Sequence, residues 1–133
     1  MGAQAPDSTP PVLVVDDEPL VLQLMARALK EAGYAPFTAG GALQALELLG
    51  HLPAHPLALV TDIRMDPIDG PGLAKIVRQQ CPGLPVLFVS GFGPGDQYGH
   101  LPGPLLKKPF QTDQLVAAVA RLLGGPRLAQ GSS

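Results

Sequence analysis

Apolar positions along the chain follow two alternating patterns. Val12-Leu13-Val14-Val15 is an unbroken, β-branched run between Pro11 and Asp16, as expected of a strand buried on both faces of a parallel sheet. From Pro19 to Ala32 the spacing changes. Leu20, Leu24 and Ala28, with Val21, Met25 and Leu29 beside them, recur at i, i+4 and form one face of an amphipathic helix. Pro19 is tolerated in its first turn and Gly33 is placed to end it. Residues 34–38 read as a short strand that Pro36 confines to a sheet edge. Residues 42–49 repeat the helical spacing, and 51–56 read as loop. Residues 57–61 are a buried strand running into Asp62, and the turn-rich stretch 62–72 leads to a helix over 73–80. Residues 86–89 are a fourth strand ending at Ser90, and 105–107 a short fifth. Thr112 is expected to cap a last helix with Leu115, Val119 and Leu122 on its buried face.

Strands alternating with helices imply parallel pairing through right-handed crossovers, hence an α/β sandwich with helices on both faces. One interior stretch departs from the alternation. Residues 91–104 hold five glycines and three prolines, a poor sequence for a helix, so the fourth helix is expected to be short or irregular.

Composition narrows the classes. The 133 residues suit one domain, expected over 12–123, with a flexible leader at 1–11 and a flexible tail at 124–133. Nine basic against eleven acidic residues leave a net charge of −2, which argues against direct nucleic-acid binding. Hydrophobic residues at 46% exclude wholesale disorder. The single cysteine, Cys81, excludes an internal disulfide and is read as structural. His51, His55 and His100 show no metal-ligand spacing. No apolar run reaches the roughly 18 residues of a membrane span, and the N-terminus lacks the features of a secretion signal. A cytoplasmic location is therefore expected.

In a doubly wound sheet, ligands bind beyond the carboxyl ends of the strands, where the strand order reverses. The strand ends here carry Asp16-Asp17, Asp62, Ser90 and Lys107-Lys108-Pro109. Three carboxylates in one crevice repel one another unless a cation neutralises them. A hard divalent cation such as Mg²⁺, with oxygen ligands and retained waters, answers that need. A lysine and a hydroxyl facing such an ion suit a phosphoryl group, and a central carboxylate, Asp62, is able to form an aspartyl phosphate. Taken singly, the acidic pair favours a helix cap and Ser90 reads as ordinary turn chemistry.

Five separated motifs, VLVVDDEP at 12–19, VTDIRM at 60–65, DG at 69–70, PVLFVSG at 85–91 and KKPF at 107–110, together resemble the receiver domain of two-component response regulators. The likeness covers roughly residues 11–123 and extends to receivers of hybrid histidine kinases. It implies a flavodoxin-like (βα)5 three-layer sandwich with a five-stranded parallel sheet of order 2-1-3-4-5. It also implies that Asp62 accepts phosphate from a sensor histidine kinase or a histidine phosphotransfer protein. Asp17 becomes a direct Mg²⁺ ligand beside Asp62, Asp16 acts partly through water, and the backbone carbonyl of Arg64 completes the protein's ligands. Ser90 supplies the hydroxyl that turns toward the phosphoryl group, and Lys108, before a cis bond to Pro109, supplies the ammonium. Such a chain promotes its own phosphoryl transfer and dephosphorylation rather than turning over an external substrate, and a weak homodimer is among the associations the family allows.

Three departures modify these expectations. The acceptor loop reads Met65-Asp66-Pro67, with the proline displaced by one and an extra carboxylate, Asp66, expected to face water. The family's aromatic switch position, three before the lysine, is Leu105. Phe92, two after Ser90, is placed to shield the phosphoryl group, so slow hydrolysis of the aspartyl phosphate is expected. With 18 residues from Ser90 to Lys108, output is expected through the first or the last helix, or by passing phosphate onward. Two rivals remain open. A receiver-like interaction module without phosphorylation would lack an acid or the lysine. An Asp-nucleophile phosphatase would want a second aspartate where Arg64 stands.

Overall fold

The computed structural model describes residues 11–91 and 101–124. Its elements are β1 (Pro11–Val15), α1 (Pro19–Glu31), β2 (Ala35–Ala39), α2 (Ala42–Leu49), β3 (Ala58–Asp62), α3 (Gly70–Gln80), β4 (Val86–Ser90), β5 (Leu105–Lys107) and α4 (Thr112–Leu122). The five strands are all parallel, in the order β2-β1-β3-β4-β5, and the helices make the sheet a three-layer α/β sandwich. This is the flavodoxin-like architecture that the resemblance implied.

Alternation along each strand divides the core in two. Leu13, Val15, Leu59, Val86 and Phe88 face the layer built by α2 and α3, where Ala42, Ala45, Leu73, Ala74 and Val77 pack. Val12, Val14, Val60, Leu87 and Val89 face α1 and α4, meeting Met25, Leu29, Leu115 and Val119. Both faces of β1, β3 and β4 are therefore buried, which is why these strands read as continuous apolar runs. Each fully buried Val or Leu side chain contributes about 1.5–3 kcal/mol. β2 is an edge strand, as Pro36 required. Gly33 follows α1 at φ 102°, a left-handed conformation suited to glycine.

Strands β2 and β3 each lie one residue later than the sequence suggests, and two helix starts differ for a physical reason. The third helix begins at Gly70, three residues before the expected start, because the Asp69 side chain caps it by accepting a hydrogen bond from the Gly72 amide at 2.9 Å. The last helix is capped by Gln111 rather than Thr112. The Gln111 side chain accepts from the backbone of Gln114, and the Gln114 Oε1 accepts from the Gln111 amide at 2.7 Å, a reciprocal capping box. The irregular helix expected in the fourth crossover, Phe92 and His100 all lie outside the described residues, as do residues 1–10 and 125–133. No described helix is long and apolar enough to cross a membrane.

Candidate functional site

The strand order reverses direction between β1 and β3, so the loops leaving their carboxyl ends diverge and open a crevice. A cleft of about 1020 Å³ lies there, lined in part by Asp17, Glu18, Asp62, Arg64, Gly91 and Lys108. β1 ends at Val15, so Asp16 follows it directly and is wholly buried, whereas Asp17 is exposed. Asp62 is the last residue of β3 and lies near the floor. The carboxylates of Asp16, Asp17 and Asp62 offer oxygens that all lie within 4.8 Å of one another.

Hydrogen bonds orient this group. Asp16 Oδ1 accepts from the Glu18 amide at 2.9 Å, so its role at the strand end is to fix the turn into α1 and not to cap the helix. Asp62 Oδ1 accepts from the Ile63 amide at 2.8 Å, which leaves Oδ2 facing Lys108 Nζ at 3.8 Å. That ammonium lies closer to Asp16 Oδ2, at 3.0 Å, and to Glu18 Oε1, at 2.8 Å. The amide of Lys108 donates to the Ser90 carbonyl at 2.8 Å, which carries the lysine from β5 across the sheet end. Its bond to Pro109 is cis, as the resemblance implied, and so is Asp66–Pro67.

Burial, joined by the negative charge of Asp16, raises the Asp62 carboxyl from 3.8 to about 6. The nearby Lys108 and the Ile63 amide pull it back only in part. Burial alone would lower the Lys108 ammonium, but Glu18, Asp16 and Asp62 together outweigh it and hold the group above its ordinary value. The carboxylates of the cleft therefore carry more negative charge than Lys108 relieves.

Whether these residues suit a divalent cation is decided by Asp16. Its Oδ2 is buried and, among the described residues, meets no donor in hydrogen-bond geometry, although Lys108 Nζ pairs with it electrostatically. A buried carboxylate oxygen whose one close partner is an ammonium at 3.0 Å keeps acceptor capacity for a further ligand. A hard cation, with its waters, would satisfy it, and the three-carboxylate donor set matches Mg²⁺ chemistry. The residues fit the ion.

The structure thus brings Asp16, Asp17, Asp62 and Lys108 together and sets Arg64 on the cleft wall. Ser90 is buried at the end of β4, one residue before Gly91, which lines the cleft. Asp66 is exposed and also borders the cleft. Leu105 is half-buried against the core layer that holds Phe88. Away from the site, His51 and His55 are exposed, and buried Cys81 approaches His55 Nδ1 at 3.5 Å. Two residues of the site received no role in the sequence reading. Glu18 lay inside the quoted DDEP motif, where a third acid following the pair was the available signal. Gly70, where a Cβ would meet the Asp62 carbonyl oxygen, was visible only as half of a DG dipeptide.

The sequence profile described as "Response regulator receiver domain" matches residues 12–120. An NtrX-like response regulator of Rickettsia conorii is 32% identical over 114 residues, covering 83% of this chain and 24% of the relative. The sensor kinase CckA of Brucella abortus is 34% identical over 116 residues, covering 84% of this chain and 12% of the kinase. Among solved structures, a response regulator receiver protein from Sinorhizobium medicae aligns with a TM-score of 0.76 at 31% identity, covering 87% of this chain and 95% of its own. The chain thus spans about a quarter of the length of the NtrX-like relative and about an eighth of CckA.

Proposed function

The chain belongs to the response regulator receiver domain family, and from that membership we propose that Asp62 accepts a phosphoryl group from a phosphohistidine, on a sensor histidine kinase or a histidine phosphotransfer protein, and that the domain then switches conformation. The observation that carries this reading is the convergence of Asp17, Asp62 and Lys108 on one cleft, with Asp16 buried at its base. In the transfer, an Asp62 carboxylate oxygen forms the new O–P bond. The N–P bond of the donor breaks as it forms, and the imidazole leaves with the electron pair and takes a proton from water. Asp62 Oδ1 is held by the Ile63 amide, so the carboxylate is oriented before the donor arrives.

Asp16, Asp17, Asp62 and the backbone carbonyl of Arg64 would hold Mg²⁺, which when bound neutralises charge on the phosphoryl oxygens. Lys108 extends its ammonium to the same oxygens, and the Ser90 hydroxyl donates a hydrogen bond once the group is in place. Phosphorylation adds up to about two negative charges, enough to bias a bistable element at the strand ends. All the acids and the lysine whose absence would favour a non-phosphorylated module are present at the site. Beryllofluoride, a phosphoryl mimic, tests the reading in ¹H–¹⁵N NMR spectra. Saturable shifts around Asp62, Ser90 and Lys108 are expected with Mg²⁺ and none without it. Shifts that are absent, or indifferent to Mg²⁺, would overturn it.

A further inference from the structure

We propose that Glu18 is a positioning residue that holds the Lys108 ammonium away from Asp62 until an anion arrives there, and so sets the affinity of the cleft for that anion. The inference rests on Asp62 being the acceptor. Of the three carboxylates around Lys108 Nζ, Glu18 makes the shortest contact, a hydrogen bond at 2.8 Å, and Asp62 the longest, at 3.8 Å. The acceptor is the one acid of the three beyond hydrogen-bond reach of the ammonium.

Three further observations assign Glu18 this role. Its backbone is fixed by the Asp16 carboxylate, which accepts the Glu18 amide at 2.9 Å, so the end of β1 aims the side chain at Lys108, 90 residues along the chain. Glu18 occupies the cap position of α1, yet its side chain makes no capping hydrogen bond, and its carboxylate is left for the lysine. It also stands outside the group of three carboxylates that could share a metal ion.

An anion on Asp62 draws the ammonium inward. Glu18 then loses its partner and adds repulsion, so it opposes anion binding while its charge favours a cation in the same cleft. The two ligands must respond with opposite sign when that charge is removed. The Glu18 side chain is 60% exposed, so solvent screening keeps each response small, about two- to five-fold.

The test is a pair of ¹H–¹⁵N NMR titrations on the full chain, Mg²⁺ alone and then beryllofluoride at saturating Mg²⁺. Glu18→Gln is expected to bind beryllofluoride about three-fold more tightly and Mg²⁺ about two-fold more weakly than wild type. The side-chain Nζ resonance of Lys108 should move in the ligand-free Glu18→Gln protein. Glu18→Asp, which keeps the charge, should return both affinities toward wild type. If Glu18→Gln binds beryllofluoride no more tightly, or if both affinities move in the same direction, the proposal fails while the acceptor reading stands. A wild-type chain that does not bind beryllofluoride at all overturns the acceptor reading, and this inference with it.

Discussion

In the absence of divalent cations, Asp62→Asn is expected to be more stable than the wild type at pH 7.5, by on the order of 2 kcal/mol, while losing every response to beryllofluoride. Such a pairing, a gain in stability with a loss of function, follows from the electrostatics of the cleft. Asp62 has an ordinary carboxyl value of 3.8, raised to about 6 on folding, first by burial and then by Asp16. A carboxyl whose folded value is raised is favoured in its neutral form. Its contribution is fully present below the unfolded value and is lost as pH rises through the folded one. Above pH 6, the wild type therefore folds against an ionised, crowded aspartate.

About two pH units correspond to roughly 3 kcal/mol. The lost attraction to Lys108 at 3.8 Å trims what the asparagine regains. Urea unfolding in EDTA from pH 4.5 to pH 7.5 measures the effect. The advantage of Asp62→Asn should fall to under half at the acid end, and a difference that is constant with pH would contradict the account. Saturating Mg²⁺ at pH 7.5 should reverse the order, since the ion stabilises most the chain that binds it most tightly and Asp62→Asn lacks one of the carboxylates that would hold it.

Gly70→Ala is the second large effect. A Cβ on Gly70 would lie 2.3 Å from the carbonyl oxygen of Asp62 and 3.1 Å from the Cα of Ile63. Both are backbone atoms and have no rotamer by which to escape. The Gly70 amide also donates to the Ile63 carbonyl at 2.8 Å, so the start of α3 is tied to the residue after the acceptor. Relief must come from moving α3 or the end of β3. A destabilisation of about 3 kcal/mol is expected, together with at least a ten-fold loss of beryllofluoride affinity among the molecules that remain folded.

Gly103→Ala supplies the comparison. Its Cβ would meet the Val86 carbonyl oxygen, also at 2.3 Å, but at the opposite end of β4 from Ser90. That variant should lose similar stability and keep its affinity for the mimic. Equal losses of affinity in both variants would show that the clash near Asp62 has no particular bearing on the site.

Much of this arrangement was legible in the residues. The buried parallel strands announced themselves because both of their faces are apolar, as in Val12–Val15. The acids and the lysine could be placed in one crevice because each stands within two residues of the end of an apolar run. The strand order was not legible from periodicity and came from the resemblance alone. The start of α3 was missed because Gly70-Pro71-Gly72 has poor intrinsic helicity, while the glycine there answers a tertiary demand, the close approach to Asp62. Thr112 looked like the better cap, yet Gln111 and Gln114 satisfy two backbone donors between them. Glu18 was invisible as a partner of Lys108, since the two meet only after β1 and β5 have been assembled on either side of β3 and β4.

The double-sided apolar sheet has a practical consequence for anyone judging preparations of this chain. If β3 slid by one residue against its neighbours, Leu59 and Val60 would exchange faces and still find hydrocarbon on either side. Helix and strand content would hardly change. Asp62 would point to the wrong side of the sheet, and the anchors that forbid the slip, the Ile63 amide on the Val89 carbonyl and the Gly70 amide on the Ile63 carbonyl, are two bonds among many. Far-ultraviolet circular dichroism is blind to that error, so batches of this protein are better graded by ligand titration than by spectral shape.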